Sequence, residues 1–299
     1  MTDDQRRPEP VGAGMAVAMA AQFGIVVVLG RKIQAGGPPF VMLAFRFGLQ
    51  SLLLFGVLLL LRRPLIPARG ERYWLLIGGG VGYATESALG FLALNHAKAG
   101  AASLLFYTYP VMVLLGTSML ARRAPERRAV VALGLALVGM AVVVVGGGDL
   151  EASPLGIAFS LGSAAMYTAY LLLVDRKVRQ TDALTSATWL GIWAAAGNAC
   201  FALVSGSVAL PSPDVRGLLP LMALFSAGAF AAMFGGLRRI GPVRVSIIGV
   251  LEPVTVSLLA VVLLEQSLVG TTITGGMLIL AGAVTAMMLR TPRTPEPVV

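Results

Sequence analysis

The sequence predicts an all-α integral membrane protein: ten transmembrane helices in two inverted five-helix repeats, with both termini cytoplasmic. Three observations carry that expectation. Of 299 residues, 57% are hydrophobic and only 12% charged, with a mean hydropathy of +0.84, whereas a soluble domain carries about 25% charge. Long apolar runs such as Leu49–Leu61 and Ala129–Val145 show no period-2 alternation, so they are helices and not barrel strands. A pattern also recurs at an offset of 143 residues: Pro110-Val111-Met112-Val113 overlays Pro253-Val254-Thr255-Val256 in the same register.

Crossing about 30 Å of hydrocarbon at about 1.5 Å per residue takes roughly 20 apolar residues. The polar tail Met1 to Pro10 leads into 12–31, an apolar run with no small-residue cleavage site behind it, hence a retained helix in place of a signal peptide. Span 40–61 holds one charge, Arg46. Span 74–95 starts beside Tyr73-Trp74, an interfacial pair, and its Gly78, Gly79, Gly80, Gly82 and Gly90 give neighbouring helices a close approach. Span 101–121 contains Pro110, and 129–147 is uninterrupted. In 154–174, Ser160, Ser163, Tyr167 and Tyr170 fall at helical spacing, as Trp189 and Trp193 do in 185–208, which also holds Asn198. Spans 217–237, 243–264 and 270–289 complete the set, with Glu252-Pro253 inside the second of these and small surfaces at Gly235, Gly236, Gly275 and Gly276. The connections are too short for a soluble domain.

Charge tests this topology independently. With both tails inside, 18 of the 23 basic residues fall in cytoplasmic segments, among them Arg6, Arg7, Arg62, Arg63, Arg290 and Arg293. The outer segments hold Arg31, Lys32, Lys98 and Arg216, together with the acids Asp149, Glu151 and Asp214. That bias follows the positive-inside rule, so the net charge of +9 is a topology signal and not a nucleic-acid footprint. The offset of 143 places the fourth span on the ninth and the fifth on the tenth. Five spans per half is an odd number, so residues 151–299 enter the membrane inverted relative to 1–150. Inverted repeats are a transporter architecture with substrate held near the midplane.

Ala44-Phe45-Arg46-Phe47, Phe91-Leu92-Ala93-Leu94, the stretch Ala101 to Val113, Ser246 to Val256, Leu263-Leu264-Glu265 and Gly276 to Ala283 together resemble the drug/metabolite transporter superfamily, of the kind built from two EamA-type repeats. The likeness spans nearly the whole chain and rests on diffuse patterns. It departs from the family where a glutamate often follows the fourth span of a repeat: Glu265 fits, but its first-half counterpart is Arg122. Within the superfamily the chain is most similar to the aromatic amino-acid exporter branch. The resemblance implies an exporter in a bacterial cytoplasmic (inner) membrane.

Ionisable groups inside spans are the best pointers to a site, since each costs at least about 2.5–3.5 kcal/mol to place at the bilayer centre. Glu86 shares a helix face with Tyr83, Ser87 and Gly90. It either binds a substrate amino group or a proton, or is a neutral acid bonded to a neighbouring helix. Glu252 precedes Pro253 as Tyr109 precedes Pro110, which suggests paired kinks around a centre; a polar side chain there can equally satisfy backbone that proline frees. Arg46 is a partner for a substrate carboxylate or for one of the two acids in a fold-level ion pair. Tyr83, Tyr107, Tyr109, Tyr167 and Trp193 are the deep aromatics, and Trp189 lies nearer the inner interface. The expected substrate-binding set is thus Tyr83, Glu86, Ser87, Tyr107, Tyr109, Tyr167, Trp193 and Glu252, with Arg46, Pro110 and Pro253 in ion-pairing or gating roles.

No Gly-x-x-x-x-Gly-Lys-Ser/Thr loop is present, so no ATP hydrolysis is expected within this chain. His96 is the single histidine and Cys200 the single cysteine, so neither a metal site nor a nucleophilic triad, and no cofactor, is expected. The chain is read as a secondary transporter, not an enzyme, exporting amino acids, aromatic and other small neutral ones, by alternating access; the alternative is a multidrug exporter of organic cations with the same fold. Its partners are a small-molecule substrate and the lipid bilayer, with no nucleic acid. Oligomeric state is open, a monomer included.

Overall fold

A computed structural model describes residues 9–33, 36–146, 150–264 and 270–289. Arg6, Arg7, Asp149, Glu265, Arg290 and Arg293 lie outside the described residues, as do the side chains of Arg31 and Lys32. The helices are α1 (Pro10–Ile33), α2 (Pro39–Leu60), α3 (Arg72–Leu94), α4 (Ala99–Phe106), α5 (Tyr109–Ala121), α6 (Arg127–Gly146), α7 (Pro154–Lys177), α8 (Ala183–Val204), α9 (Leu218–Gly249), α10 (Glu252–Leu264) and α11 (Gly270–Met287). Among the described residues, nine helices are long and apolar enough to cross a membrane; α4 and α5 count as one of them, and α9 with its short lead-in as another.

Where hydropathy predicts two separate spans at 217–237 and 243–264, helical structure runs on from Leu218 to Gly249, interrupted only at Gly241 (φ 75°, ψ 171°). Only glycine adopts that conformation without strain. Pro242 then restarts the helix with its φ already set. A one-residue corner leaves no loop: residues 218–240 form one helical segment, and residues 242–249 form a second that meets the 13-residue α10 across the Val250-Leu251 break.

The 143-residue offset predicts where helices break. α4 and α5 are separated at Tyr107-Thr108, and α9 and α10 at Val250-Leu251; adding 143 carries one break onto the other. The backbone bonds match: Thr108 N–H donates to Leu105 and Val111 to Thr108 on one side, and Leu251 to Ile248 and Val254 to Leu251 on the other. Pro110 and Pro253 are the cause, since each lacks the N–H that the residue one turn earlier needs.

Packing repeats the relation. α1 packs on α9 and α10, α3 on α7, α2 on α8, and α6 on α11. At the last crossing, a Cβ built on Gly139 would lie 2.5 Å from the Gly275 carbonyl and 2.7 Å from the Ile279 nitrogen. One on Gly282 would lie 2.7 Å from the Ala132 carbonyl and 2.9 Å from the Ala136 nitrogen. Residues 139, 132 and 136 map by the offset onto 282, 275 and 279, so the two sets of contacts are reciprocal. Rising numbers on α6 meet falling numbers on α11, and the two helices therefore run antiparallel.

Candidate functional site

Pro110 and Pro253 put two helix breaks at the same depth, and around them lies a cavity of about 640 Å³. Its walls take Arg46 from α2, Glu86 from α3, Ser163 from α7 and Glu252 from α10. Tyr83, Ser87, Tyr107, Tyr109, Tyr167 and Pro253 also line it, so most of the residues singled out in the sequence share one chamber. Two do not. Pro110 is buried behind the wall, and Trp193 is half-buried on α8, against the glycines of α3 and 6.3 Å from Trp189. Depth alone points Trp193 to the chamber, and depth carries no azimuth.

Arg46 and Glu86 are held by named partners. Arg46 Nε donates to Ser226 Oγ at 3.1 Å, and Ser226 in turn donates to Gln50. Gln50 is fully buried and its Nε2 has no partner among the described residues. Arg46 also lies over the Phe47 ring, 4.9 Å from its centroid, a cation–π contact. Ser163 Oγ donates to the Glu86 backbone carbonyl at 3.0 Å and lies 3.5 Å from its carboxylate. Tyr107 and Glu252 line the same chamber. Arg46 acts electrostatically on both acids. The chamber thus offers one guanidinium and two carboxyl groups in a mostly apolar wall.

The floor is a run of rings. Tyr83 packs edge-on against Phe47, Tyr170 and Phe230 at 5.3, 5.0 and 5.0 Å. Tyr167 continues the row to Tyr170 at 5.0 Å and Tyr109 at 4.6 Å. Beneath it, Met233 accepts from the hydroxyls of Tyr167 and Tyr170, and Phe230 and Phe234 are buried. The chamber therefore ends at the bundle's middle on this side. It opens at the other end, where Ile33, Pro39, Ala97 and Ala99 form its rim.

Sequence reasoning misses three features. Residues Ile77–Tyr83 form a π-helical stretch within α3; the extra residue per turn rotates the remainder of the helix, and such bulges gather at functional sites. The run Gly78-Gly79-Gly80 is its available signal. Ser163 stands out by its spacing but not as the partner of Glu86. The third is Glu71, in the loop before α3 at the closed end. Its carboxylate accepts from the backbone N–H groups of Arg179 (2.6 Å), Gln180 (2.7 Å) and Thr181 (2.7 Å), and from the Thr181 hydroxyl. Arg238 donates to the Thr181 carbonyl and to Ser186, while Thr185 and Trp189 donate to the carbonyls of Pro64 and Leu65. The loop is shaped by Arg72 Nε donating to the Pro67 carbonyl at 3.0 Å. At the open end the same turn recurs, with Arg216 Nε donating to Pro211 at 2.8 Å. There Val215 occupies the position that Glu71 has here, buried with Ile33, Met42, Leu219 and Met222.

Burial pushes the Glu71 carboxyl up, but its hydrogen bonds from Gln180, Thr181 and Arg179 outweigh that and hold it below its ordinary value of 4.5. A carboxylate lowered on folding contributes stability that is full above the unfolded value and lost as pH falls through the folded one. Glu71's contribution to thermal stability, read as the difference in melting temperature between wild type and Glu71→Gln, should therefore be level from pH 8 to 6 and shrink below about pH 4.5. Glu71→Gln should flatten part of the acid limb and lower stability at pH 7. An acid limb identical in both proteins would show that Glu71 does not contribute.

A model of the EamA-like transporter family matches residues 10–145 and 154–288. The chain is 26% identical over 234 residues to "Uncharacterized transporter YcbK" of Bacillus subtilis, covering 74% of each. It is 24% identical over 220 residues to "Uncharacterized transporter sll1319" of Synechocystis sp., covering 70% of this chain and 65% of that one. Both names say transporter and neither specifies a substrate. A crystal structure with 19% identity superposes at a TM-score of 0.76, covering 92% of this chain and 96% of the other, and so shares the fold.

Proposed function

The chain belongs to the EamA-like transporter family, and we propose that within it this is a secondary transporter exporting amino acids, aromatic ones included, from a bacterial cytoplasm. The observation that carries the reading is the charge set of the chamber. Arg46 matches a substrate carboxylate, Glu86 or Glu252 matches its ammonium, and the ring floor suits an apolar side chain. A volume of about 640 Å³ is that of an ordinary small-molecule site. Pro242 to Gly249 and Glu252–Leu264, taken together, make a ninth span equivalent to α4 and α5, which gives ten spans in two inverted repeats, 1–150 and 151–299. With the basic ends inside, both termini are cytoplasmic and the chamber faces outward. Alternating access then means opening the Glu71 end while the mouth closes.

A second reading has its own support: two carboxyl groups share the chamber with one guanidinium, so one acid is left to meet an organic cation when the other pairs with Arg46. Counterflow in proteoliposomes preloaded with unlabelled amino acids separates the two. Labelled phenylalanine and threonine should enter in a protein-dependent way, and a labelled organic cation should not. Entry of the cation alone would overturn the amino-acid reading in favour of the second; entry of none would remove support from both.

A further inference from the structure

Outside the chamber, at the end of the bundle where Arg62, Arg63, Arg176, Lys177, Arg238 and Arg239 gather, a second hollow of about 780 Å³ lies between α1, α8 and α9. Its apolar floor is Val11, Gly14, Met15 and Ala18 on one face of α1, with Ala231, Ala232 and Gly235 on α9. Residues 11 to 18 put its length along the bundle at roughly 10 Å, less than one leaflet of hydrocarbon. Val11 is 52% and Leu61 59% exposed, so the groove faces out of the protein. Among the described residues, no atom lies within 4 Å of a Cβ built on Gly14.

Three guanidinium groups rim the groove: Arg63, Arg238 and Arg239. Arg63 meets Asp182 through Nη1 alone at 3.7 Å, and Arg239 meets Glu9 through Nη1 alone at 3.2 Å. Each guanidinium has five N–H donors, so both have donors to spare. Exposed single contacts of this kind are weak and yield readily to a better acceptor. Arg238 has no carboxylate partner among the described residues; its bonds go to Thr181 and Ser186. Among the described residues that line the groove, three arginines stand against the single carboxylate of Asp182, beside an apolar channel on membrane helices.

We infer that this groove is a binding site for an anionic phospholipid, one acyl chain lying over Gly14 and the phosphate on Arg63 and Arg239. The chemistry is that of basic pockets between membrane helices: hydrocarbon covers the small residues, and a bidentate guanidinium–phosphate contact fixes the headgroup. The site is separate from the chamber and does not depend on which substrate the chamber carries.

Native mass spectrometry of the delipidated, full-length protein titrated with phosphatidylglycerol, or with phosphatidylethanolamine of the same chains, tests it. One phosphatidylglycerol per chain should bind at least about tenfold more tightly than phosphatidylethanolamine. The double change Arg63→Gln with Arg239→Gln should remove that preference, and Gly14→Phe should abolish binding of both lipids by filling the groove. Gly48→Phe, at another glycine with open space around it, is the control for a lipid-facing substitution and should bind as the wild type does. Equal binding of the two lipids, or unchanged binding in Gly14→Phe, would overturn the proposal. So would a dimer that Gly14→Phe dissociates, since a second copy would then be the occupant.

Discussion

Gly139→Leu should lower the melting temperature of the purified protein sharply, whereas Gly134→Leu on the same helix should leave it level or slightly higher. The neighbours of a Cβ at 139 are the Gly275 carbonyl and the Ile279 nitrogen on α11, and backbone cannot swing aside as a side chain does. Overpacking of this kind costs about 1–3 kcal/mol or more. At Gly134 nothing among the described residues lies within 4 Å, and leucine in place of glycine favours the helix by somewhat under about 1 kcal/mol. The reciprocal contacts extend the expectation to Gly282→Leu, which should fail to a similar degree because Ala132 and Ala136 stand where Gly275 and Ile279 do. Equal melting temperatures for the 134 and 139 variants would show that α6 and α11 can separate without loss, and the crossing would lose its structural role.

Arg46→Gln should discriminate between substrates by their charge. On the amino-acid reading it removes the carboxylate's partner and leaves Glu86 and Glu252 in place. A hydrogen bond to a charged group contributes about 1.5–3 kcal/mol, so counterflow of phenylalanine should weaken roughly ten- to a hundredfold, chiefly through KM. Phenylalanine amide, which lacks the carboxylate, should be handled no worse by the variant than by the wild type. Glu86→Gln and Glu252→Gln should do the reverse, harming whichever substrates carry an ammonium. A uniform loss across all substrates in Arg46→Gln, with a lowered melting temperature, would instead assign Arg46 to the fold through Ser226 and Gln50.

Most of the architecture is legible in the sequence because membrane helices declare themselves by length and the repeat declares itself by register. The offset found from the Pro110 and Pro253 segments and their common register lands on both helix breaks, since a proline acts on its own backbone wherever the helix sits. Arg46, Glu86 and Glu252 are findable for a related reason: a charge inside a span is costly anywhere, so its presence needs no tertiary knowledge to be noticed. Hydropathy does not supply direction around the helix axis. Trp193 has the depth of a chamber residue and faces the glycines of α3 instead. The π-helical stretch at Ile77–Tyr83 changes the pitch on which any azimuth would be counted. Gly241 turns a corner within one residue, which a sliding window averages away. Glu71 is a lone acid in a loop rich in arginine, and its partners, the backbone of residues 179–181, have no sequence signature.

The twin turns Pro67 to Arg72 and Pro211 to Arg216 have different contents, and the difference has a thermal consequence. One end of the bundle is fastened by a carboxylate on backbone N–H groups, the other by Val215 among aliphatic side chains. Apolar burial weakens on cooling, whereas ionic hydrogen bonds have no comparable cold limb. Chilling therefore loosens the Val215 end, and acid loosens the Glu71 end. Cold and low pH should therefore act on opposite ends of the bundle, through two turns with the same arginine-to-proline bond.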